Sequence, residues 1–251
     1  MLERRIAPAL ALLLLAAPAG AQQGDDWTWP ERAENLQELP ADFPGRRLAA
    51  VMSGFTSALG VGCSYCHVGE PGQPRSSYDF ASDDNPRKVT ARKMLQLLGV
   101  VNDQLAEIEP TGDQRVNMWC HTCHAGKPKP MTLAEALGAE YRAAGIDAAI
   151  AEYHELRERY YGRGAYDFSE DALNELGYQL LGVEAIDDAI TLFRLNADYH
   201  PDSANVWDSL AEAYARAGDR QLARLYYERS LQLDPDNANA RAKLQELSAD
   251  Q

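Results

Sequence analysis

Residues 205–237 read NVWDSLAEAYARAGDRQLARLYYERSLQLDPDN. Trp207, Leu210, Ala211, Tyr214, Gly218, Ala223, Tyr227 and Pro235 follow one another in an order that suits two antiparallel helices. Small residues let such helices approach, and the proline stops the second. The same order occurs earlier in the chain: Leu176 and Leu210, Gly177 and Ala211, Ala189 and Ala223, Phe193 and Tyr227, and Pro201 and Pro235 are each 34 positions apart. A weaker copy starts near Met131, with Leu137, Gly138, Tyr141 and Gly145 in place, and overruns by about five residues through RERYYGRGAYDFSE. Units that cannot bury an apolar face alone must stack on their neighbours, so this half of the chain reads as an α-solenoid.

The 34-residue period with these small, large and proline positions resembles the tetratricopeptide repeat. The resemblance divides residues 128–251 into a degenerate repeat at 131–169, repeats at 170–203 and 204–237, and a capping helix at 238–251. AGKPKPM, with Pro128 and Pro130, is the linker that precedes them. Such arrays bind peptides, partner proteins or copies of themselves, which implies docking or self-association here. His154 and His200 stand isolated in this half and form no catalytic constellation.

Charge separates the two halves. Residues 22–130 carry 14 acidic and 11 basic side chains, residues 131–251 carry 23 and 11. That acidity argues against nucleic acid or anionic lipid as partner, and suits either a basic protein surface or a solvated face. At the other end, MLERR, the apolar run ALALLLLAA and the small residues before Ala21 read as a signal peptide of residues 1–21. No later run approaches the roughly 18–20 apolar residues of a membrane span. The expected location is periplasmic or extracellular, with no membrane span.

Between these segments, at 22–127, lie two copies of one device. VGCSYCHVGE holds Cys63, Cys66 and His67, and CHTCHAG holds Cys120, Cys123 and His124. CxxCH is the attachment signature of c-type haem. Its two thiols reach one porphyrin edge from a single turn of backbone, and the histidine falls beneath the iron. Two disulfides are the usual alternative in an exported chain, but all four cysteines are taken by the two motifs. Paired zinc knuckles usually sit closer together than the 53 residues between Cys66 and Cys120. A thioredoxin-like pair has no reason to occur twice with a histidine after it. Two covalently bound c-type haems are therefore expected, on Cys63 and Cys66 and on Cys120 and Cys123, with His67 and His124 as proximal iron ligands.

Two methionines lie on predicted helices. Leu48, Met52, Phe55 and Leu59 form one apolar stripe. Met94, Leu97, Leu98 and Val101 form another, on a helix that starts with Asp84 or Asn85 as N-cap and Pro86 at its first position. Both stripes are expected to face the core, where a methionine serves as packing or as ligand. Arg87, Lys88, Arg92 and Lys93 offer themselves either to haem propionates or to solvent. His121 is a spacer residue, open to packing or exposure as well as to ligation, while Phe55, Tyr65 and Trp119 suit ring contacts near a porphyrin.

ELPADFPGRRLAAVMSGFTSALGVGCSYCHV, then DFASDDNPRKVTARKMLQLLGVVN, then CHTCHAG, resemble half of the cytochrome subunit of photosynthetic reaction centres and its non-photosynthetic relatives. The resemblance covers roughly residues 37–130. It implies haem units built of a methionine-bearing helix, a turn and a CxxCH helix. It makes Met52 the distal ligand of the haem on Cys63, Cys66 and His67, and Met94 that of the haem on Cys120, Cys123 and His124. The reaction-centre subunits have four haems where this chain has two motifs, and its C-terminal half is different. The fold class expected is mainly α, a small dihaem domain followed by a repeat solenoid. The function expected is electron transfer to or from a redox protein partner, rather than an enzyme. The alternatives are a dihaem peroxidase-like oxidoreductase, which needs one iron with an open sixth position, and a structural subunit of a haem-bearing assembly.

Overall fold

Ten α-helices and two short 3₁₀ turns account for the ordered backbone in the computed structural model, which describes residues 27–108 and 116–249. The expected signal peptide lies outside the described residues. No strand occurs among them; Val68 and Asp79 form an isolated antiparallel bridge.

The N-terminal half contains three helices. Helix α1, Gly45–Leu59, follows Pro44 and stops at Gly60, whose left-handed backbone (φ 65°, ψ 33°) lets its N–H and that of Val61 satisfy the last carbonyls. Helix α2, Pro86–Glu107, is capped by Asn85, whose side chain accepts from the Arg87 N–H at 3.0 Å, with Pro86 at the first helical position. Helix α3, Cys120–His124, is a single turn.

The remaining helices form hairpins. Helices α4 (Leu133–Ala144) and α5 (Ile146–Tyr160), α6 (Glu170–Gly182) and α7 (Ile186–Tyr199), and α8 (Ala204–Arg216) and α9 (Arg220–Leu233) pack as successive pairs, and α10 (Ala238–Ala249) covers α9. Thr132 and Glu135 close a reciprocal capping box at α4, Ser203 caps α8 and Asp219 caps α9. The repeat positions do the packing. A Cβ on Gly177 would lie 2.5 Å from the Phe193 ring, so only glycine admits that phenylalanine. Ala211 and Tyr227 occupy the corresponding places one repeat later and are fully buried. One continuous core joins α4 to α8 through Leu137, Tyr153, Leu173, Leu192, Phe193 and Leu210.

The two halves differ in how much they bury. Before residue 133, Leu48 (5% exposed) and Ala58 (1%) are the buried apolar side chains among the described residues, apart from glycine. The expectation that the Met94 stripe faces a core needs correction: Met94 is 43% and Leu97 53% exposed. The other two members of that stripe, Leu98 and Val101, are half-buried, as are Lys88, Arg92 and Leu95 on the same helix.

Candidate functional site

Both CxxCH motifs lie on a helical turn. Cys63–Tyr65 is a 3₁₀ turn in which the His67 N–H donates to the Cys63 carbonyl at 3.0 Å, and Cys120–His124 is the turn of α3. All four cysteines are unpaired. Burial pushes the Cys66 and Cys120 thiols up, against the nearby Arg87 charge in the case of Cys66. They are thiols rather than thiolates at neutral pH.

The two histidines have different proximal surroundings. His124 Nδ1 lies 3.0 Å from the Lys127 carbonyl, which can only accept, so Nδ1 carries a proton and Nε2 is the nitrogen turned away from the backbone. His67 Nδ1 is buried without a hydrogen-bond partner. Burial first and the Lys88 charge next push its basicity below the ordinary imidazole range, with the Phe80 carbonyl opposing. Phe80 stands edge-on to the His67 ring at 5.0 Å and touches Trp27 and Tyr78 in turn. A neutral imidazole is the form that ligates a metal, and the surroundings of His67 favour it.

The helices that carry the methionines each reach both motifs. Helix α1, with Met52, ends four residues before Cys63 and packs on α3, where Phe55 stacks on Trp119 at 5.7 Å. The Gly126 N–H donates to the Ala58 carbonyl at 2.8 Å, so the end of α1 is pinned to the turn after the second motif. Helix α2, with Met94, begins at the first motif: the Asn85 side chain donates to the Tyr65 carbonyl at 3.2 Å, and the Arg87 guanidinium lies 4.4 Å from the Tyr65 ring centroid. Further along α2, Asn102 exchanges two hydrogen bonds, of 3.0 and 2.8 Å, with the backbone of Met118, two residues before Cys120. Met94 stands between these two attachments.

The basic cluster divides. Lys88 donates to the carbonyls of Phe80, Ala81 and Ser82 and pairs with Asp83 at 3.1 Å; Arg92 pairs with the same carboxylate at 2.9 Å. Those two cations hold the loop around His67, which leaves Arg87 and Lys93 as the members suited to an anionic group. His121 is exposed. Sequence reasoning did not find Phe80, Asn102 or Lys127. Asn102, a polar residue closing the apolar run LLGVV, was the visible signal among them.

These residues fit a covalently attached porphyrin at each motif. Free thiols and an imidazole share one turn, and exposed apolar side chains, Met94, Leu97, Val100 and Trp119, stand on α2 and at the start of α3. Among the described residues no cluster of three or more His, Cys, Asp or Glu side chains suits a bare metal ion, and no helix is long and apolar enough to cross a membrane.

Comparison with known proteins bears on the same segment. The family described as photosynthetic reaction centre cytochrome C subunit matches residues 17–149, and the tetratricopeptide repeat family matches residues 204–237. Cytochrome c-554 of Chloroflexus aurantiacus is 32% identical over 124 residues, covering 49% of this chain and 27% of that protein. The photosynthetic reaction center cytochrome c subunit of Rubrivivax gelatinosus is 33% identical over 94 residues, covering 32% of this chain and 23% of that protein. The chain thus spans about a quarter of the length of these curated relatives. Among solved structures, the first tetratricopeptide domain of Spaghetti (RPAP3) bound to an HSP90 peptide covers 47% of the chain at 18% identity, with a TM-score of 0.34.

Proposed function

The chain belongs to the photosynthetic reaction centre cytochrome c subunit family, and from that membership we propose that it is an exported dihaem c-type cytochrome that carries electrons. Its repeat array is the docking half. The observation that carries this reading is the pair of CxxCH turns, each with two unpaired cysteines and a histidine, beside helix faces whose apolar side chains are exposed. A half-chain of about 100 residues that buries so little apolar surface needs another source of core.

Cys63 and Cys66 would hold one haem by thioether bonds, with His67 as proximal ligand; Cys120, Cys123 and His124 would hold the other. Each haem, when bound, supplies a one-electron iron couple. Met52 and Met94 would complete the ligand sets, Met52 with the first motif and Met94 with the second. A methionine and a histidine on each iron would raise its potential and leave no position for a substrate, which favours electron transfer over catalysis. Asn85 and Asn102 fix α2 against both motifs, and Phe55 and Trp119 fix α1 against α3. The acidic array then attracts a basic redox protein, and association slows as salt rises because exposed charges are screened beyond about 8 Å at physiological ionic strength.

The test is the mass and optical spectrum of the purified mature protein. The expected mass is the polypeptide cut after Ala21 plus two haem masses, and acid acetone should extract neither. A single haem, or one that is extracted, overturns the assignment.

A further inference from the structure

Lys127 is 7% exposed, three residues past His124, and it bonds in two directions. Its backbone closes on the histidine: the Lys127 N–H donates to the His124 carbonyl at 2.9 Å, and its own carbonyl accepts from His124 Nδ1 at 3.0 Å. Its side chain leaves the motif altogether. Nζ donates to the carbonyls of Met131 and Ala165 and stands 3.9 Å from the centroid of the Tyr166 ring.

Ala165 and Tyr166 belong to the connection between α5 and α6. That connection has nine residues, 161–169, where the corresponding ones, 200–203 and 234–237, have four. The difference is the overrun of the first repeat. The extra residues are not slack: Ala165 and Phe168 are buried in the solenoid core, and Tyr166 packs on Tyr160 at 5.4 Å and on Phe168 at 6.2 Å. The overrun is thus a fixed receptor for one lysine.

We propose that Lys127 is a positioning residue through which the repeat array sets the orientation and basicity of His124, so that one iron senses the array and the other does not. The inference rests on the reading of His124 as an iron ligand. A carbonyl that accepts from the far nitrogen of a ligating imidazole makes the ring a stronger donor to its metal. The Lys127 carbonyl reaches that place through Ala125 and Gly126, at φ 48° and 85°; glycine adopts such a backbone freely, but at Ala125 it persists only where its surroundings hold it. One hold is the Gly126 bond to Ala58 on α1; the other is the lysine side chain in the array. Among the described residues His67 Nδ1 has no hydrogen-bond partner, and the carbonyl beside its ring, that of Phe80, belongs to the N-terminal half, so the coupling is one-sided.

The test is a redox titration of the holoprotein, with the two haems distinguished by NMR, in wild type, Lys127→Met and Tyr166→Leu. Loosening the turn weakens the bond at Nδ1 and should raise one potential. For Lys127→Met the expected change is about tenfold in how an electron is shared between the haems, equal to about 59 mV for a one-electron couple. Tyr166→Leu should move the same haem in the same direction by less. A purely structural role would lower the melting temperature and leave the potentials alone. Two haems at wild-type potentials in both variants, or both haems shifted equally, overturn the inference alone. A wild-type protein without haem on Cys120 and Cys123 overturns it together with the reading beneath it. Should Lys127→Met not accumulate, Tyr166→Leu, which keeps the lysine's hydrogen bonds, decides by the same criterion.

Discussion

Replacing Gly60 by alanine tests whether the contact between the end of α1 and the turn after the second motif holds the N-terminal half together. Two costs add. Gly60 sits at φ 65°, ψ 33°, where a residue with a Cβ is disfavoured by about 1–2 kcal/mol. That Cβ would also fall against the Gly126 carbonyl oxygen and 3.0 Å from its carbon, both of them backbone. The turn must then withdraw, giving up the 2.8 Å hydrogen bond from the Gly126 N–H to the Ala58 carbonyl, worth about 1 kcal/mol. Gly126→Ala is the control: its φ of 85° carries the same conformational cost of about 1–2 kcal/mol, but its Cβ would meet nothing within 4 Å. Gly60→Ala should therefore destabilise the holoprotein by about 2–3 kcal/mol, and by about 1 kcal/mol more than Gly126→Ala. Urea unfolding followed at the haem absorption band reports on this half and not on the array. Equal midpoints for the two variants would refute the argument, since only the backbone contact separates them.

Met52→His and Met94→His should each lower the potential of one haem and weaken the near-infrared sulfur-to-iron band; unchanged spectra and potentials in both would make these residues packing. The haem on His67 should be reduced before that on His124, because His124 Nδ1 has the Lys127 carbonyl at 3.0 Å while His67 is buried with Lys88 and Arg92 nearby, which outweigh the Phe80 carbonyl; NMR of a partly reduced sample reads the order. Gly177→Ala should destabilise the array by about 1–3 kcal/mol through overpacking on Phe193, read as a lower melting temperature by circular dichroism. Asp83 is held well below the usual carboxylate range by Arg92, then Asn35 and Lys88. Its folded value lies below its unfolded one, so it stabilises above about pH 4 and the stabilisation is lost as pH falls through that range toward the folded value. Asp83→Asn should lower the melting temperature at neutral pH and flatten its fall in acid.

The repeat half was legible because its signals are local or periodic. Pairs such as Gly177 with Ala211 and Phe193 with Tyr227 repeat at 34 residues, and these repeated positions are also packing positions in the solenoid. Helices α1 and α2 were legible for a similar reason, from apolar spacing and from Asn85 followed by Pro86. What covers an apolar stripe was not legible. Periodicity says which face of a helix is apolar; it does not say how far protein covers that face, and Met94 and Leu97 stay exposed.

The CxxCH turns could be read because their chemistry is contained in five adjacent residues. The surroundings that tell the two histidines apart come from partners far off in sequence. Asn102 meets the backbone of Met118, Phe80 meets His67, and Lys127 reaches Ala165, 38 residues on. Composition marks 125–131 as a linker, because prolines and lysines there show no period. A lysine is also the residue least expected to be buried, so its pairing with an overrun in a degenerate repeat left no pattern to find. Both irregularities have one physical cause. The turn after His124 is held from outside its own half by the Lys127 side chain, and the nine-residue connection supplies both the Ala165 carbonyl and the Tyr166 ring that receive it.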